Sequence, residues 1–327
     1  MSEILAYCNR CGKAITMHDP DCHCQGTPNE QNARQVGQMP DLSSLSEEDR
    51  QRIPAIHSLM PDEVGKVPVV DDIFYEGHVG FYAPEKAEEA KQKAINRREQ
   101  LNVFWSRCLV VATIGSRDPE ILSIRRPDRK FRMEIIDHSD KDRGIGAYTW
   151  KGYKWPNLQK LFVAGIIDVE KYDYFWFPDD DVQIDIGAVH SLFLRASIYK
   201  ARLCQPSMAW NSSNIGWPVT KHVPMSMFRH TNFVEVLAPC FSREALKICL
   251  PHFDANYASW GLDFVWAKLL GYLGMGVIDA IQMRHTGVGT SGAWVLPDGR
   301  SPREEMHTML ARYGLDYETC KAGVGNL

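Results

Sequence analysis

An aromatic run that ends in three consecutive carboxylates constrains this chain more than any other feature. Residues 172–178 read Tyr-Asp-Tyr-Phe-Trp-Phe-Pro, a stretch rich in strand-forming residues, and Asp179, Asp180 and Asp181 follow at once. If the strand geometry continues through this triplet, Asp179 and Asp181 point to one side and Asp180 to the other. Adjacent carboxylates at the end of a buried strand repel one another unless a cation lies among them, and hard oxygen ligands suit Mg²⁺ or Mn²⁺. A solvated acidic turn is the alternative, but the preceding apolar run favours the metal site.

Length and composition are those of a globular protein. The chain has 327 residues, enough for one large domain or two smaller ones, and its contents of 44% hydrophobic and 24% charged residues are ordinary. A net charge of −4 provides no overall basic field for nucleic acid or for an anionic membrane. The first residues are too few and too polar for a signal peptide, and no stretch approaches the roughly 20 apolar residues of a membrane span. We therefore expect a cytoplasmic protein without a transmembrane segment.

Cysteines are distributed unevenly along the chain. There are nine, an odd number, and four lie within the first 24 residues. In a reducing compartment, we expect the later ones to be buried thiols rather than disulfides: Cys108, Cys204, Cys240, Cys249 and Cys320. The early ones form two close pairs, Cys8 with Cys11 and Cys22 with Cys24, a spacing that predicts a structural Zn²⁺ site. His18 or His23 could replace one thiolate, and unpaired thiols or a redox pair remain the alternatives.

Differences in composition and periodicity along the sequence predict three regions. Residues 1–26 contain the cysteine cluster and are predicted to form a small zinc-binding knuckle. Residues 27–70 are rich in Pro, Gln, Ser and Asp with little periodicity, which is typical of a linker or of a segment that wraps on a surface. Residues 71–327 have the composition of a globular catalytic domain.

Within the globular region, apolar strand-like runs alternate with helical patterns. Helices are predicted at 84–101, 157–167, 187–200 and 264–273, and strands at 109–115, 131–137, 172–178, 201–206 and 276–280. This alternation predicts an α/β fold with a mostly parallel central sheet flanked by helices. Ligands of such sheets bind at the carboxyl ends of the strands, where the acidic triplet lies.

Two further signals lie downstream of the triplet. Residues 260–263 read Trp-Gly-Leu-Asp and precede an apolar helix, and His285 follows the strand at 276–280 and precedes a glycine-rich loop at 287–292. Taken alone, an aspartate at a helix start is commonly an N-cap, and a single histidine is commonly structural. Glycine-rich loops are also common, so each signal is weak by itself.

Together with the triplet, these residues resemble the GT-A-type glycosyltransferases. The most similar family is the glycosyltransferase-like domain-of-unknown-function family 707, and the resemblance spans about residues 105–295. The stretches that carry it are 172–174 with the triplet, 205–206, 231–235, 238–243, 260–263 and 276–285. The resemblance implies a GT-A-like, Rossmann-like fold and does not extend to residues 1–70.

The resemblance also implies roles for the acidic residues. Asp179 and Asp181, with His285, would hold Mn²⁺ or Mg²⁺ on the diphosphate of a nucleotide-sugar. Asp180 would face the sugar or ribose. Asp263 would be the general base that removes the acceptor proton in an inverting enzyme, or would position substrate in a retaining one. A helix start lowers the pKa of a carboxyl, so burial would have to offset that effect for Asp263.

Other residues are assigned to the substrates in the same way. Ile114 and Gly115 would lie under the nucleotide, Asp137 would contact its base or ribose, and Trp260 would help to bury the nucleotide-sugar. Trp210 and Trp217 could form an acceptor platform, although core packing is the commoner role of a single Trp. The prediction is a metal-dependent glycosyltransferase with a nucleotide-diphospho-sugar donor, favouring a UDP-sugar. Alternatives are a nucleotidyltransferase, a metal phosphoesterase, or a non-catalytic zinc-containing binding module. Nucleic acid is a remote candidate for the acceptor.

Overall fold

The computed structural model describes residues 4–7, 14–16, 84–115, 119–139, 144, 146, 148–287 and 295–320, with side chains from residue 92 onward. The chain divides into two units, Met1–Val67 and Pro68–Leu327. In the first unit, strand β1 (Ile4–Tyr7) pairs antiparallel with β2 (Ala14–Thr16). The predicted zinc ligands Cys8, Cys11, Cys22 and Cys24 and the segment 27–70 lie outside the described residues.

The second unit contains a central sheet with helices. Its helices are α1 (Pro84–Ser106), α2 (Lys154–Val163), α3 (Ile186–Ile198), α4 (Arg243–Cys249), α5 (Leu262–Leu269) and α6 (Pro302–Arg312). Its strands are β3 (Cys108–Ile114), β4 (Arg132–Asp137), β5 (Tyr148–Thr149), β6 (Tyr174–Trp176), β7 (Val182–Gln183), β8 (Leu203–Met208), β9 (Arg229–His230), β10 (Cys240–Ser242) and β11 (Met275–His285). In the part of the chain that the structure describes, no helix is both long and apolar enough to cross a bilayer.

The strand order of the sheet is β5-β4-β3-β6-β10-β8-β11-β7, and β9 pairs with β11. Pairing is parallel for β3 with β4 and β6, for β4 with β5, and for β8 with β11. It is antiparallel for β10 with both neighbours and for β7 and β9 with β11. The predicted α/β fold with a central sheet flanked by helices is confirmed, and the sheet is mixed rather than mostly parallel. The reason is that irregular chain, not a crossover helix, leads into β10, so β10 can run in the opposite direction.

A crevice for ligands follows from this topology. The chain leaves β3 for β4 on one side and later returns to β6 on the other side of β3. Helices that leave neighbouring parallel strands in opposite directions open a crevice at the carboxyl ends of those strands. Residues 177–181, which follow β6, therefore lie beside the end of β3.

Apolar cores cover both faces of the sheet. On one face, α2, α4, α5 and α6 pack over an aromatic cluster in which the ring centroids of Trp155 and Trp266 are 4.5 Å apart and those of Trp155 and Phe253 are 4.7 Å apart. On the other face, α3 packs with the 3₁₀ turn Glu120–Ile124. Trp155 and Trp266 are fully buried, so the cluster fixes the first turns of α2 and α5, which carry Lys154 and Asp263.

Candidate active site at the end of the central sheet

Each carboxylate of the acidic triplet has a different partner. Asp179 accepts a hydrogen bond from Lys154 Nζ at 2.5 Å, Asp180 accepts one from the Gly115 backbone N–H at 2.7 Å, and Asp181 lies 3.2 Å from His285 Nε2. The strand does not continue through the triplet, because β6 ends at Trp176 and the chain turns so that Val182 N–H reaches the Asp179 carbonyl at 3.4 Å. The alternating arrangement expected for an extended triplet is therefore not formed. Each of the three side chains instead has its own partner at the end of the sheet.

Lys154 is the counter-cation of Asp179. Its ammonium also donates to the carbonyls of Val236 and Leu237, at 3.0 and 3.3 Å, and its side chain is 10% exposed. Burial lowers the pKa of Lys154, and the Asp179 charge opposes that effect. Burial raises the pKa of Asp179 to about 6, against the charge of Lys154. No sequence pattern marks this lysine, because one cation at the start of an amphipathic helix is ordinary.

Strand pairing explains why Asp181 meets His285. Strand β7 directly follows the triplet and pairs antiparallel with the end of β11, with Val182 opposite His285. The Asp181 carbonyl accepts hydrogen bonds from Thr286 N–H at 2.9 Å and Thr286 Oγ1 at 3.0 Å. A β-carbon at Gly287 would lie 2.0 Å from Asp181 Oδ2, so no larger residue fits there without movement.

The tautomer of His285 fits a role as a metal ligand. Its Nδ1 lies 3.1 Å from the Asn214 carbonyl, which can only accept, so Nδ1 carries a proton. In the neutral ring, Nε2 then directs its lone pair toward the Asp181 carboxylate, an arrangement that a shared cation stabilises. Without one, the hydrogen bond to Asp181 raises the pKa of His285. Among the described residues, no three His, Cys, Asp or Glu side chains form a metal-binding group, so Asp181 and His285 would be a two-residue ligand set that substrate oxygens and water complete.

The predicted nucleotide side of the crevice contains Gly115 and Asp137. A β-carbon at Gly115 would lie 3.2 Å from Asp180 Oδ2 and 3.3 Å from the His138 ring, so the glycine permits a close approach. Asp137 ends β4 and is buried, and its Oδ1 accepts from Ser139 N–H at 2.9 Å. Its Oδ2 is buried with no hydrogen-bond partner among the described residues. The Ile114 side chain is fully buried in the core, so only its backbone faces the crevice, where its carbonyl accepts from His138 N–H at 3.0 Å.

A cavity of about 410 Å³ opens within this unit, and two acidic residues line it. Asp263, in the first turn of α5, is 3% exposed. Glu235 is partly exposed, but its Oε2 is buried and has no hydrogen-bond partner among the described residues. The remaining lining residues are Gly216, Trp217, Val236, Trp260, Gly261, Phe264, Arg303, Met306 and Tyr317. The predicted residues Asp263 and Trp260 are thus brought together in one pocket.

Burial raises the pKa of both carboxyls. It raises the pKa of Asp263 to about 8, against the stabilising Phe264 N–H, which donates to Asp263 Oδ1 at 3.0 Å. The expected lowering at a helix start is therefore outweighed by loss of solvent. Burial also raises the pKa of Glu235 to about 7, and the nearby charge of Asp179 adds to the effect while His285 opposes it. Glu235 lies within the stretch 231–235 that carried the family resemblance, but the sequence offered no sign that it lines a cavity.

Residues 235–239 join this cavity to the triplet. They run along the end of β6 toward β10, where Asp179 N–H donates to the Leu237 carbonyl at 2.8 Å and Phe177 N–H donates to the Pro239 carbonyl at 3.0 Å. Only Val236 therefore lies between Glu235, in the cavity wall, and Leu237, whose carbonyl holds Asp179. The cavity therefore lies next to the acidic triplet, across residues 235–239.

The two tryptophans suggested for the acceptor have different environments. Trp217 lines the cavity and packs on Phe233 and Phe264, with ring centroids 4.7 and 5.5 Å apart. Trp210 is 61% exposed and does not line the cavity. Among the later cysteines, the free thiols of Cys108, Cys204, Cys240 and Cys249 are buried and that of Cys320 is partly buried, which confirms the prediction of thiols rather than disulfides.

Comparisons with known proteins are weak. No protein-family model and no curated protein matches the chain, so the resemblance to domain-of-unknown-function family 707 is not confirmed. Among solved structures, TarS from S. aureus is 13% identical over 63% of this chain and 39% of its own, with a TM-score of 0.41. S. aureus TarS 1–349 in complex with UDP-GlcNAc is 15% identical over 62% of this chain and 65% of its own, with a TM-score of 0.40. A197 from STIV is 14% identical over 60% of this chain and 92% of its own, with a TM-score of 0.36.

The chain thus spans less than two thirds of the length of these TarS chains. Similarities at these TM-scores do not define an activity for this chain.

Proposed function

We propose that this chain is a metal-dependent glycosyltransferase that uses a nucleotide-diphospho-sugar. The observation that carries the proposal is the juxtaposition of the Asp181–His285 pair with a cavity that holds the buried carboxyl of Asp263. Glycosyl transfer needs a group to hold the departing diphosphate and a base for the acceptor hydroxyl, and these two parts of the site supply one each. The resemblance drawn from the sequence favours a UDP-sugar as donor.

Asp181 and His285 would hold Mn²⁺ or Mg²⁺, and a bound ion would neutralise the charge that develops on the diphosphate. Asp179, held in place by Lys154, would add its negative charge beside this ligand pair. Gly115 permits close approach at the end of β3, and the free Oδ2 of the buried Asp137 is suited to a ribose hydroxyl or a base N–H.

The acceptor would enter the aromatic cavity. Trp217, Trp260 and Tyr317 line the cavity with aromatic rings, on which the C–H face of a sugar or a planar group can pack. In the inverting reaction, the acceptor oxygen attacks the anomeric carbon, the bond from that carbon to the diphosphate oxygen breaks with its electron pair, and the acceptor proton passes to Asp263. Only the ionised carboxylate can accept this proton, and with a pKa of about 8 the ionised fraction of Asp263 grows as the pH rises from 7 to 9.

Identification of the nucleotide product tests this proposal against the alternatives. Purified protein is incubated with UDP-, GDP- and TDP-sugars and Mn²⁺, and the products are identified by mass spectrometry. Without an added acceptor, water attacks the anomeric carbon, and this cleavage releases a nucleoside diphosphate and the free sugar. A phosphoesterase that cleaves the phosphoanhydride instead releases a nucleoside monophosphate and a sugar phosphate.

We expect the diphosphate from one donor, its loss in Asp181→Asn, and its retention in Asp254→Asn, which changes an exposed carboxylate outside the cavity. A monophosphate product, or a diphosphate product that Asp181→Asn does not reduce, would contradict the proposal.

A further inference from the structure

The chain between β8 and β9 exposes an unusual group of apolar side chains. Trp210 is 61% exposed, Met225 89% and Met227 50%, and Val223 is also exposed. With Lys221, whose ammonium lies 3.5 Å from the centroid of the Trp210 ring, these residues define the 210–227 surface. Single exposed apolar residues are common, but a cluster that includes Trp and two Met residues marks an interaction site.

The turn that presents Met225 is not explained by backbone preference. Ser226 N–H donates to the Val223 carbonyl at 3.3 Å, which closes a turn with Pro224 and Met225 at its centre. Met225 has φ 65°, the left-handed conformation that a type II turn requires at this position and that Gly or Asn adopts most readily. A Met at this position makes the turn less favourable, and its side chain gains no burial against the rest of the chain, since it is 89% exposed. Its side chain is therefore best explained by something outside the chain.

Hydrogen bonds to the sheet fix this surface. His222 N–H donates to the Met208 carbonyl at 2.9 Å, and Val223 N–H donates to Asp279 Oδ1 at 2.9 Å. Ala280 N–H donates to the Met227 carbonyl at 3.2 Å. Asp279 is buried and paired with Arg229 at 2.6 Å. The apolar side chains are thus presented by an anchored turn.

The segment that forms the surface carries charge of one sign, and the adjacent Asp279 is paired with Arg229. Residues 186–234 contain no Asp or Glu, although the whole chain has a net charge of −4. Lys221 lies on the surface itself, and the exposed Arg284 donates to the carbonyl of Asn211, the neighbour of Trp210. The local field therefore favours an anionic partner.

The same segment borders the candidate active site. Asn214 accepts from His285, and Ser213 N–H donates to the His285 carbonyl at 2.8 Å. A partner that docks on the 210–227 surface would consequently lie beside the site, within reach of the chain that supports His285.

We propose that the 210–227 surface docks the chain on an anionic lipid bilayer. Met and Val side chains would enter the acyl boundary, Trp210 would lie at the level of the headgroups, and Lys221 and Arg284 would face lipid phosphates. This combination favours a bilayer over nucleic acid, because strand binding relies on cationic tracks and stacked aromatics, to which Met225, Met227 and Val223 add nothing. The inference does not depend on the proposed function, since docking requires neither donor nor acceptor.

Vesicle co-sedimentation tests the inference. The full chain is pelleted with vesicles of phosphatidylglycerol and phosphatidylcholine, with pure phosphatidylcholine vesicles, and separately its binding to fluorescent single-stranded and duplex oligonucleotides is measured by anisotropy. Met225→Gly is the most informative variant, because Gly suits φ 65° and the turn is retained while the side chain is lost. Met227→Ser tests the second Met, and Val163→Ser is the matched control, an apolar side chain that is 77% exposed at the end of α2.

We expect binding to the anionic vesicles that weakens with salt, falls about tenfold for each Met variant, and is unchanged in Val163→Ser, with the unfolding temperatures of all variants kept. Equal pelleting of wild type and Met225→Gly, or no pelleting of the wild type, would overturn the inference. Oligonucleotide binding that depends on Trp210 without vesicle binding would assign the surface to nucleic acid instead.

Discussion

Asp263→Asn should stabilise this protein above neutral pH while removing the proposed base. Asp263 is 3% exposed, and its pKa rises from an ordinary 3.8 to about 8 because burial disfavours the charged form. Asn retains the oxygen that accepts the Phe264 N–H but cannot ionise. The substitution therefore removes only the free-energy cost of a buried ionisable group.

The sign and size follow from proton linkage. The unfolded chain releases this proton above about pH 4, whereas the folded chain keeps it up to about pH 8, so wild-type stability decreases across that window. Each pH unit corresponds to about 1.4 kcal/mol, which gives at most about 6 kcal/mol above pH 8. Relative to wild type, the variant should gain about 4 kcal/mol in the free energy of unfolding between pH 5 and pH 8.

Urea unfolding of wild type and Asp263→Asn at pH 5, 6, 7, 8 and 8.5 measures this difference. Asp254→Asn is the control, because Asp254 is an exposed carboxyl that accepts from Gln159 Nε2 at 3.0 Å, a bond that Asn can also accept. A stability difference between Asp263→Asn and wild type that stays constant from pH 5 to 8.5 would refute the conclusion that Asp263 is buried in its protonated form.

Three further predictions concern the metal pair, the lysine and the base. Gly287→Ala should weaken Mn²⁺ binding about tenfold or more in calorimetry, because a β-carbon 2.0 Å from Asp181 Oδ2 separates that carboxylate from His285; unchanged affinity would exclude Asp181 as a ligand. Lys154→Met should cost about 1–3 kcal/mol in urea unfolding, less than a fully buried pair, because Asp179 is 37% exposed and water partly replaces the ammonium; no loss would show that the pair is dispensable. The kcat/KM for transfer should rise with pH toward a plateau above about 8, the pKa of Asp263, and a flat profile from pH 6 to 9 would argue against this base.

The sequence predicted most of the framework because apolar runs and helical periodicity are local signals. Strands near 109–115 and 131–137 and the helices near 84–101 and 187–200 are found with ends shifted by a few residues. The mixed pairing of the sheet was not predicted. The short strand β10 is surrounded by irregular chain, and its direction depends on contacts with β6 and β8 that are distant in sequence.

The candidate site was predictable in its members more than in its geometry. Because carboxyl ends of neighbouring strands share an edge, the approach of His285 to the triplet could be anticipated. The turn at residues 179–181 could not, since it depends on the pairing of Val182 with His285 across the fold. The positions of Lys154 and Glu235 in the site also depend on tertiary burial, which no local pattern records.

Calorimetric titration of nucleotide-sugars, with and without Mn²⁺, tests the central claim most directly. UDP-, GDP- and TDP-sugars are titrated into wild type, Asp181→Asn and the control Asp254→Asn. The account predicts that one nucleotide-sugar binds only with the metal present, that Asp181→Asn abolishes this binding, and that Asp254→Asn retains it. If no nucleotide-sugar binds to the folded protein in the presence of Mn²⁺, or if binding is equal in Asp181→Asn, the proposed glycosyltransferase function is contradicted.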